Sequence, residues 1–254
     1  MNRYRYLVPL EDAINSFAFG GKASQLNVAL QHKLPVPKGY VLSNFLLNQY
    51  VSGEIALDTE LSQVLNELGP IAVRSSAIGE DSRHNSYAGQ YVTFLNRDSI
   101  SEVKEAIVSV RESAFSNRVK LYNDRLGITD EPKMAVILQR MIPATVSGIL
   151  FTQDPVSKAD EIIIEAGWGL GESIVSGHVT PDFFRLSRAG QVLEQRAGNI
   201  TDPSASTLCL NENELRMLHQ LAGCCEDIFG SGLDIEWAFD RRMLYLLQCR
   251  PITC

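Results

Sequence analysis

Four polar side chains near the end of the sequence have the types and spacing of a site for a metal ion and a phosphate group. The stretch DIEWAFDRRMLYLLQCRP, which begins at Asp234, alternates polar and apolar residues around a polar centre at 240–242, and this pattern predicts a β-hairpin. Side chains alternate faces along a strand, so Asp234 and Glu236 share one face, and Gln248 and Arg250 share a face of the second arm. With a loop at 240–242, Asp234 falls opposite Gln248 and Glu236 lies diagonal to it.

Two interpretations of this polar face are open. Polar residues are common on the solvent-exposed face of a hairpin, where carboxylate–arginine pairs contribute little to stability. Alternatively, carboxylate and amide oxygens are ligands for Mg²⁺, which takes one or two protein carboxylates and completes its shell with substrate phosphates. An arginine two residues from such a ligand can hold a phosphate oxygen. The rest of the chain must decide between a structural face and a metal–phosphate site.

Two cations in the first half of the chain are further candidates for phosphate contacts. GGK at 20–22 opens a helical pattern; glycines there let backbone amides approach an anion that Lys22 can also reach, although a glycine pair is equally an ordinary turn. Arg74 lies in the strand pattern AVRSS, where burial would require an anionic partner, either a phosphate or a structural carboxylate. Thr93 follows a polar loop at 78–90 and is a candidate phosphate contact or a polar residue at a strand edge.

Other patterns in the sequence give weaker functional signals. The stretch GWGLGESIVSG at 167–177 contains GxGxG rather than GxGxxG, which favours backbone turning over dinucleotide binding. The four histidines form neither a nucleophile–base arrangement nor a metal-ligand spacing. These segments leave the cations and the hairpin as the main candidates for chemistry.

Composition excludes several classes of protein. The chain has 254 residues, 45% of them hydrophobic, with 23 basic and 30 acidic residues and a formal charge of −7, which argues against a general nucleic-acid binder. No apolar run approaches the ~20 residues of a membrane span, and the first residues lack the apolar core of a signal peptide. The five cysteines are odd in number and lack zinc spacing, which indicates reduced thiols and a cytoplasmic location.

The order of predicted elements favours an α+β fold. Helical patterns alternate irregularly with apolar strands at 71–76, 91–96, 134–142, 146–152 and 161–166. Ser99 with Glu102, and Asn211 with Glu214, have the spacing of capping boxes at the starts of two helices. Several hairpins without a regular βαβ alternation favour mixed or antiparallel sheets over a doubly wound sheet.

Taken together, the motifs are recognisable. GGKASQL, VPKGYVLS, AVRSSAIGED, SYAGQYVTFLN, LQRMIPATVSGILFTQDP, GWGLGESIVSGHVTPD, DIEWAFD and YLLQCRPIT occur in this order along nearly the whole chain. The sequence thereby resembles the N-terminal ATP-binding domain of pyruvate phosphate dikinase, phosphoenolpyruvate synthase and rifampicin phosphotransferase. The segment 51–70 looks shorter than in the larger relatives.

The resemblance implies an ATP-grasp-like architecture of two lobes that clamp ATP. On this basis the first lobe covers 1–138, a hinge covers 139–142 and the second lobe covers 143–254. The hinge residues Gln139, Met141 and Ile142 are expected beside adenine, with backbone groups of Gln139 and Met141 available for hydrogen bonds and Met141 as an apolar contact.

The resemblance also implies roles for the cations and the hairpin. Lys22 and Arg74 are expected to hold phosphates from the first lobe, with Arg250 completing the catalytic set by neutralising the transferring phosphoryl group. Glu236 and Gln248 are expected to bind Mg²⁺, and Asp234 belongs to the same cluster. The metal–phosphate interpretation of the hairpin is therefore preferred, because phosphoryl transfer depends mainly on positioning and charge neutralisation.

The expected activity is phosphorylation, at the expense of ATP, of a histidine on a separate domain or partner chain that then serves an unknown small-molecule acceptor. The sequence contains no segment that resembles the family's phosphohistidine motif, so the chain is interpreted as a fragment, a subunit of a split enzyme, or a protein that transfers phosphate directly. An ADP-forming ATP-grasp ligase that makes an acyl phosphate and a non-catalytic ATP-binding module are the alternatives. No nucleic-acid or membrane partner is expected.

Overall fold

The computed structural model describes residues 4–78, 92–116, 119, 132–171, 180–198 and 208–252. Most of the polar loop at 78–90 and most of the glycine-bearing stretch at 167–177 lie outside these ranges. The chain divides into two compact units, one made of Met1–Gln31 and Pro37–Met141, the other of His32–Val36 and Ile142–Cys254. The boundary after Met141 falls within the expected hinge, and His32–Val36 groups with the second unit although the sequence division assigns it to the first lobe.

A five-stranded antiparallel sheet forms the centre of the first unit. Its strands are β1 (Val8–Pro9), β2 (Gly39–Leu42), β3 (Ile71–Ala77), β4 (Thr93–Arg97) and β5 (Met134–Arg140), in the order β1-β2-β5-β3-β4. Every residue of β3 is buried, as expected for a strand in the interior of a sheet covered on both faces.

Helices cover both faces of this sheet. They are a 3₁₀ turn (Leu10–Asp12), α1 (Ser16–Gln31), α2 (Asn44–Val51), α3 (Asp58–Leu68) and α4 (Ile100–Ser113). Residues of α2, α3 and α4 pack in one apolar cluster with Val73 and Ala77 of β3. Arg74 and Ser76 alternate with them onto the opposite face, where the backbone N–H of Ala23 in α1 donates to Ser76 Oγ at 3.0 Å. This second face carries the candidate phosphate-binding residues.

The second unit contains a six-stranded antiparallel sheet and one long helix. The strands are β6 (Val146–Phe151), β7 (Ile162–Trp168), β8 (Asp182–Leu186), β9 (Val192–Arg196), β10 (Leu233–Asp240) and β11 (Met243–Pro251), in the order β11-β10-β6-β7-β8-β9, and the helix is α5 (Glu212–Phe229). The candidate hairpin, β10–β11, therefore lies at one edge of the sheet, where β10 pairs with β6.

The predicted α+β class with antiparallel sheets is confirmed. Both predicted capping boxes are present, at Ser99–Glu102 before α4 and at Asn211–Glu214 before α5. The β8–β9 hairpin was not predicted, because its short strands carry many polar residues and β9 is largely exposed. Within the described ranges, no helix combines the length and apolarity needed to cross a bilayer.

A small polar cluster joins α3 to the first strands. Tyr4 and Tyr40 are buried, and each hydroxyl donates to Glu67 Oε2 at 2.9 Å. Glu67 also pairs through Oε1 with Lys38, and its side chain is 25% exposed. The hydrogen bond from Lys38, together with those from the two tyrosines, lowers the pKa of Glu67 to about 2. The charged form of Glu67 therefore stabilises the folded first unit.

We expect Glu67→Gln to lower the free energy of unfolding at neutral pH and to change it little in acid. Because the pKa of Glu67 is depressed in the folded state, its contribution is present above the ordinary glutamate pKa of 4.5 and is lost as pH falls toward 2. We expect a loss of about 0.5–1 kcal/mol at pH 7, since solvent screens this partly exposed group. Thermal unfolding of the wild type and of Glu67→Gln between pH 7 and pH 2.5 measures this difference.

Glu105→Gln, at an exposed position in the middle of α4 of the same unit, is the control and should change stability little at any pH. A deficit of Glu67→Gln that persists unchanged at pH 2.5 would contradict the assignment of the stabilisation to the glutamate charge.

Candidate active site

The register of the β10–β11 hairpin differs from the predicted one. The turn contains two residues, Arg241 and Arg242, and Asp240 pairs with Met243, whereas the sequence analysis placed a three-residue loop at 240–242. Glu236 lies opposite Gln248 and Asp234 lies opposite Arg250, so the predicted pairing of Asp234 with Gln248 is wrong. The left-handed backbone at Arg241, with φ of 56°, closes the shorter turn, which the arginine pair did not reveal.

A β-bulge at Leu247 accounts for the rest of the difference. Trp237 pairs with Leu246 and Glu236 pairs with Gln248, so Leu247 is the extra residue on β11. Residues directly opposite each other share a face. Leu246, expected beside Gln248, instead lies on the face of Trp237, and both side chains are fully buried. The bulge therefore sends Leu246 into the core and keeps Gln248 on the face of Glu236.

The four polar residues of the hairpin form two cross-strand pairs on one face. Arg250 contacts a single oxygen of its partner: Nε lies 2.8 Å and Nη2 2.7 Å from Asp234 Oδ2. The other oxygen, Asp234 Oδ1, is buried and has no hydrogen-bond partner among the described residues. Burial raises the pKa of Asp234, the Arg250 charge opposes that rise, and the charge of Glu236 adds to it. A cation bound at this site would favour the charged form of Asp234.

This donor set fits a magnesium ion that is shared with a phosphate ligand. In the described part of the chain, no group of three or more histidine, cysteine, aspartate or glutamate side chains has the arrangement of a complete metal site. The hairpin offers two carboxylates, Asp234 and Glu236, and the amide of Gln248. Mg²⁺ is commonly bound by one or two carboxylates, with phosphate oxygens and water filling its remaining positions.

In the first unit, a kink in α1 shapes the surroundings of Lys22. Gly20 breaks the helix with φ of 82° and ψ of 169°, so the helical segment that contains Lys22 starts afresh beside β3. A Cβ atom on Gly20 would lie 2.2 Å from the carbonyl oxygen of Ser76, a distance that excludes any side chain. Lys22 is 6% exposed and its Nζ donates to the Ser75 carbonyl at 3.2 Å. The hydrogen bond to Ser75 offsets part of the cost of burying the ammonium group.

Arg74 and Gln139 lie on the same face of this sheet and are in contact. Arg74 Nη1 donates to Gln139 Oε1 at 3.3 Å, and both side chains are buried. Thr93 pairs directly with Arg74 across β3 and β4 and is exposed. The structure thus brings Arg74 together with Thr93 and Gln139, while the Lys22 ammonium is held at the neighbouring residue of the strand, Ser75.

The residues expected beside adenine lie at the end of β5 and just beyond it. The Met141 N–H donates to the Pro70 carbonyl at 3.0 Å, so that donor is already engaged. Gln139 pairs through β5 with Gly39 on one side and Ala72 on the other. Ile142 is 6% exposed and begins the main segment of the second unit. Their contact with adenine stays a prediction.

Two residues that support the candidate site are not among those predicted from the sequence. Ser76 accepts from the Ala23 N–H at the restart of α1, and the Pro37 carbonyl accepts from Gln139 Nε2 at 3.2 Å. Ser76 follows Arg74 by two positions, so the AVRSS pattern already placed its hydroxyl on the arginine face. The role of Pro37 depends on strand pairing between distant segments, which no local pattern indicates.

Gly20→Ala should destabilise the first unit far more than an alanine at another glycine with positive φ. Alanine at Gly69, where φ is 71°, ψ is −150° and no atom lies within 4 Å of the added Cβ, isolates the backbone cost of about 1–3 kcal/mol. Gly20→Ala adds the collision with Ser76 and should cost about 2 kcal/mol more than this control. Denaturant unfolding measures both, and equal losses would show that α1 moves away from β3 at little cost.

Comparison with known proteins places these features in a family. The chain is 31% identical to "Uncharacterized phosphotransferase YvkC" of Bacillus subtilis, over 92% of this chain and 33% of that protein. It is 30% identical to "Probable phosphoenolpyruvate synthase" of Archaeoglobus fulgidus, over 92% of this chain and 39% of that protein. The chain therefore spans about a third of the length of these curated relatives.

Among solved structures, PH1788 from Pyrococcus horikoshii matches with a TM-score of 0.50 and 14% identity, over 91% of this chain and 90% of that one. This likeness concerns the fold alone and, with the family match, confirms the predicted α+β, ATP-grasp-like fold class. Residues 54–254 match the family described as "Pyruvate phosphate dikinase, AMP/ATP-binding domain". The chain belongs to this family, as the sequence motifs predicted.

Proposed function

We propose that this chain binds ATP with Mg²⁺ and transfers a phosphoryl group to a histidine on a separate domain or partner chain, as a dikinase-type phosphotransferase. The observation that carries this proposal is the pair of cross-strand contacts on one face of the hairpin, Glu236 opposite Gln248 and Asp234 opposite Arg250. If this face had only a structural role in contact with solvent, its polar side chains would be exposed. Asp234 and Gln248 are instead 9% and 4% exposed. Membership of an AMP/ATP-binding domain family supports the nucleotide as the ligand.

In this proposal the first unit binds the phosphates. Lys22 and Arg74 are buried cations that contact the Ser75 carbonyl and the Gln139 amide. At a buried site of low dielectric, the attraction between such cations and phosphate oxygens is strong. Thr93, opposite Arg74, is exposed and can donate its hydroxyl to the same ligand.

The hairpin of the second unit holds the metal in this proposal. Glu236 and Gln248 supply a carboxylate and an amide oxygen, and Asp234 Oδ1 supplies a buried carboxylate oxygen. A Mg²⁺ ion held by these residues would neutralise negative charge that develops on the phosphate during transfer. Arg250, held by Asp234, would neutralise the transferring group. These roles need only positioning and charge, which suits phosphoryl transfer.

The acceptor is assigned to a histidine outside this sequence, because no segment here resembles the family's phosphohistidine motif. AMP as the nucleotide product is implied by the resemblance to dikinases: one phosphoryl group of ATP would pass to the histidine and the other would pass to water, leaving AMP and inorganic phosphate. An ADP-forming ligase is not favoured, since the family match is to a dikinase domain. We also propose that the phosphohistidine serves a small-molecule acceptor and that the protein is located in the cytoplasm.

The test of this function mixes the chain with ATP, Mg²⁺ and the histidine domain of a phosphoenolpyruvate synthase supplied in trans. We expect AMP by chromatography and an acid-labile, base-stable phosphohistidine on the added domain. Calorimetry with ATP, with and without Mg²⁺, reports binding separately. Absence of ATP binding would overturn the proposal, and formation of ADP with a carboxylate substrate would replace it with the ligase alternative.

Glu236→Ala and Gln248→Ala should each lower turnover by about 10²-fold or more, because each removes a metal ligand from a charge-stabilising site. Arg242→Ala, at the exposed tip of the same hairpin, is the matched control and should stay within about twofold of wild type. Arg250→Ala should lose turnover and also about 1–3 kcal/mol of stability, since it leaves the buried Asp234 without its cation. Wild-type turnover in Glu236→Ala would refute the site.

A further inference from the structure

We infer that the side-chain amide of Gln139 is a positioning residue that fixes the Arg74 guanidinium for its contact with a phosphate group. This inference rests on the proposed function, since it concerns the same phosphate-binding face. Gln139 would then act through its side chain as well as through the backbone groups expected beside adenine. This role depends on the segment 36–39, VPKG, because the Pro37 carbonyl accepts a hydrogen bond from the Gln139 side chain.

The strand register brings the two side chains together. Arg74 of β3 lies opposite Ile137 of β5, and Gln139 follows Ile137 by two residues, so Gln139 is the diagonal neighbour of Arg74 on the same face. Arg74 Nη1 donates to Gln139 Oε1 at 3.3 Å, and Gln139 Nε2 donates to the Pro37 carbonyl at 3.2 Å. The exposed fractions are 7% for Arg74 and 2% for Gln139. The amide therefore links the guanidinium to the backbone before β2.

The chemistry of the partners allows one orientation of this amide. A guanidinium group only donates hydrogen bonds and a backbone carbonyl only accepts them. The carboxamide offers one acceptor and one donor group, so Oε1 must face Arg74 and Nε2 must face Pro37. Glutamate lacks the donor, and leucine or methionine lacks both groups. Glutamine is thus suited to bridge these two partners without neutralising the charge of Arg74.

The VPKG segment is itself hydrogen-bonded to β5 next to the Gln139 side chain. The Arg140 N–H donates to the Lys38 carbonyl at 2.8 Å, one residue from each partner of the amide bridge. Gly39 lies so close to β5 that a Cβ atom there would sit 2.9 Å from the Leu138 carbonyl oxygen and 3.2 Å from Gln139 Cα. The missing side chain of Gly39 lets the two strands approach, which holds the Pro37 carbonyl within reach of the amide.

A double-mutant cycle on ATP affinity tests the inference. We expect Gln139→Leu to weaken binding of Mg²⁺–ATP by about tenfold, in line with loss of a hydrogen bond to a charged group. Arg74→Met should weaken it at least as much, and Gln139→Leu should have no further effect in the Arg74→Met background, because the amide acts through the guanidinium. A further tenfold loss in the double variant would overturn the inference.

Two additional variants separate positioning from general stability. Gln139→Glu should weaken ATP binding more than Gln139→Leu does, because its carboxylate pairs with Arg74 and competes with phosphate. Asn27→Leu removes another buried amide of the first unit, one that donates to the carbonyls of Leu10 and Glu11, and should lower thermal stability while leaving ATP affinity within about twofold. Equal effects of Asn27→Leu and Gln139→Leu on affinity would contradict the positioning role.

A measurement without nucleotide distinguishes this inference from the proposed function. With ¹⁵N-labelled arginine, the Arg74 signal is assigned by its loss in Arg74→Met, and the rotation rate of its guanidinium group is measured by exchange spectroscopy. We expect slow rotation in the wild type and in Asn27→Leu, and faster rotation in Gln139→Leu and Gln139→Met. An Arg74 rotation rate unchanged by both Gln139 variants would overturn the inference whether or not ATP binds.

Discussion

The register of one hairpin is the constraint on which the proposed metal-binding face of the second unit depends. A shift of one residue in strand pairing moves every later side chain to the other face of the sheet. In β11 the bulge at Leu247 makes this shift after Leu246 has entered the core. Gln248 and Arg250 are thereby returned to the face of Glu236 and Asp234. The core and the polar site thus make opposite demands on one strand, and a single extra residue satisfies both.

The first unit meets a different physical demand, the burial of two cations. Removing a positive charge from water is costly unless polar partners replace the solvent. Lys22 donates to a backbone carbonyl and Arg74 to an amide, contacts that lower the cost of burial. The kinked helix and the segment before β2 supply the geometry for these contacts. The first unit therefore buries two cations on one sheet face, and the hairpin of the second unit brings two carboxylates onto another.

Much of this organisation could be predicted from the sequence because it depends on local periodicity. Alternation along the hairpin predicted that Asp234, Glu236, Gln248 and Arg250 share a face, and the capping boxes predicted the starts of α4 and α5. The cross-strand pairing of these residues could not be predicted. The two-residue turn and the bulge at Leu247 together shift the register by an even number of residues. The same side chains therefore still share a face, but their partners on the other strand change. The bridge from Gln139 to Pro37 was inaccessible for a related reason, since it joins residues 102 positions apart through a sheet order that local patterns do not specify.

The way in which Arg250 holds Asp234 has a consequence for ion preference. Both guanidinium contacts fall on Oδ2, so a cation that reached this carboxylate would find one oxygen at its disposal. Monodentate coordination suits a small octahedral ion that retains water, whereas Ca²⁺ commonly recruits both oxygens of a carboxylate in a larger and more irregular shell. At the proposed metal site, the arginine contact would therefore favour Mg²⁺ over Ca²⁺, and discrimination between the two ions would depend on an organic side chain rather than on the size of a cage.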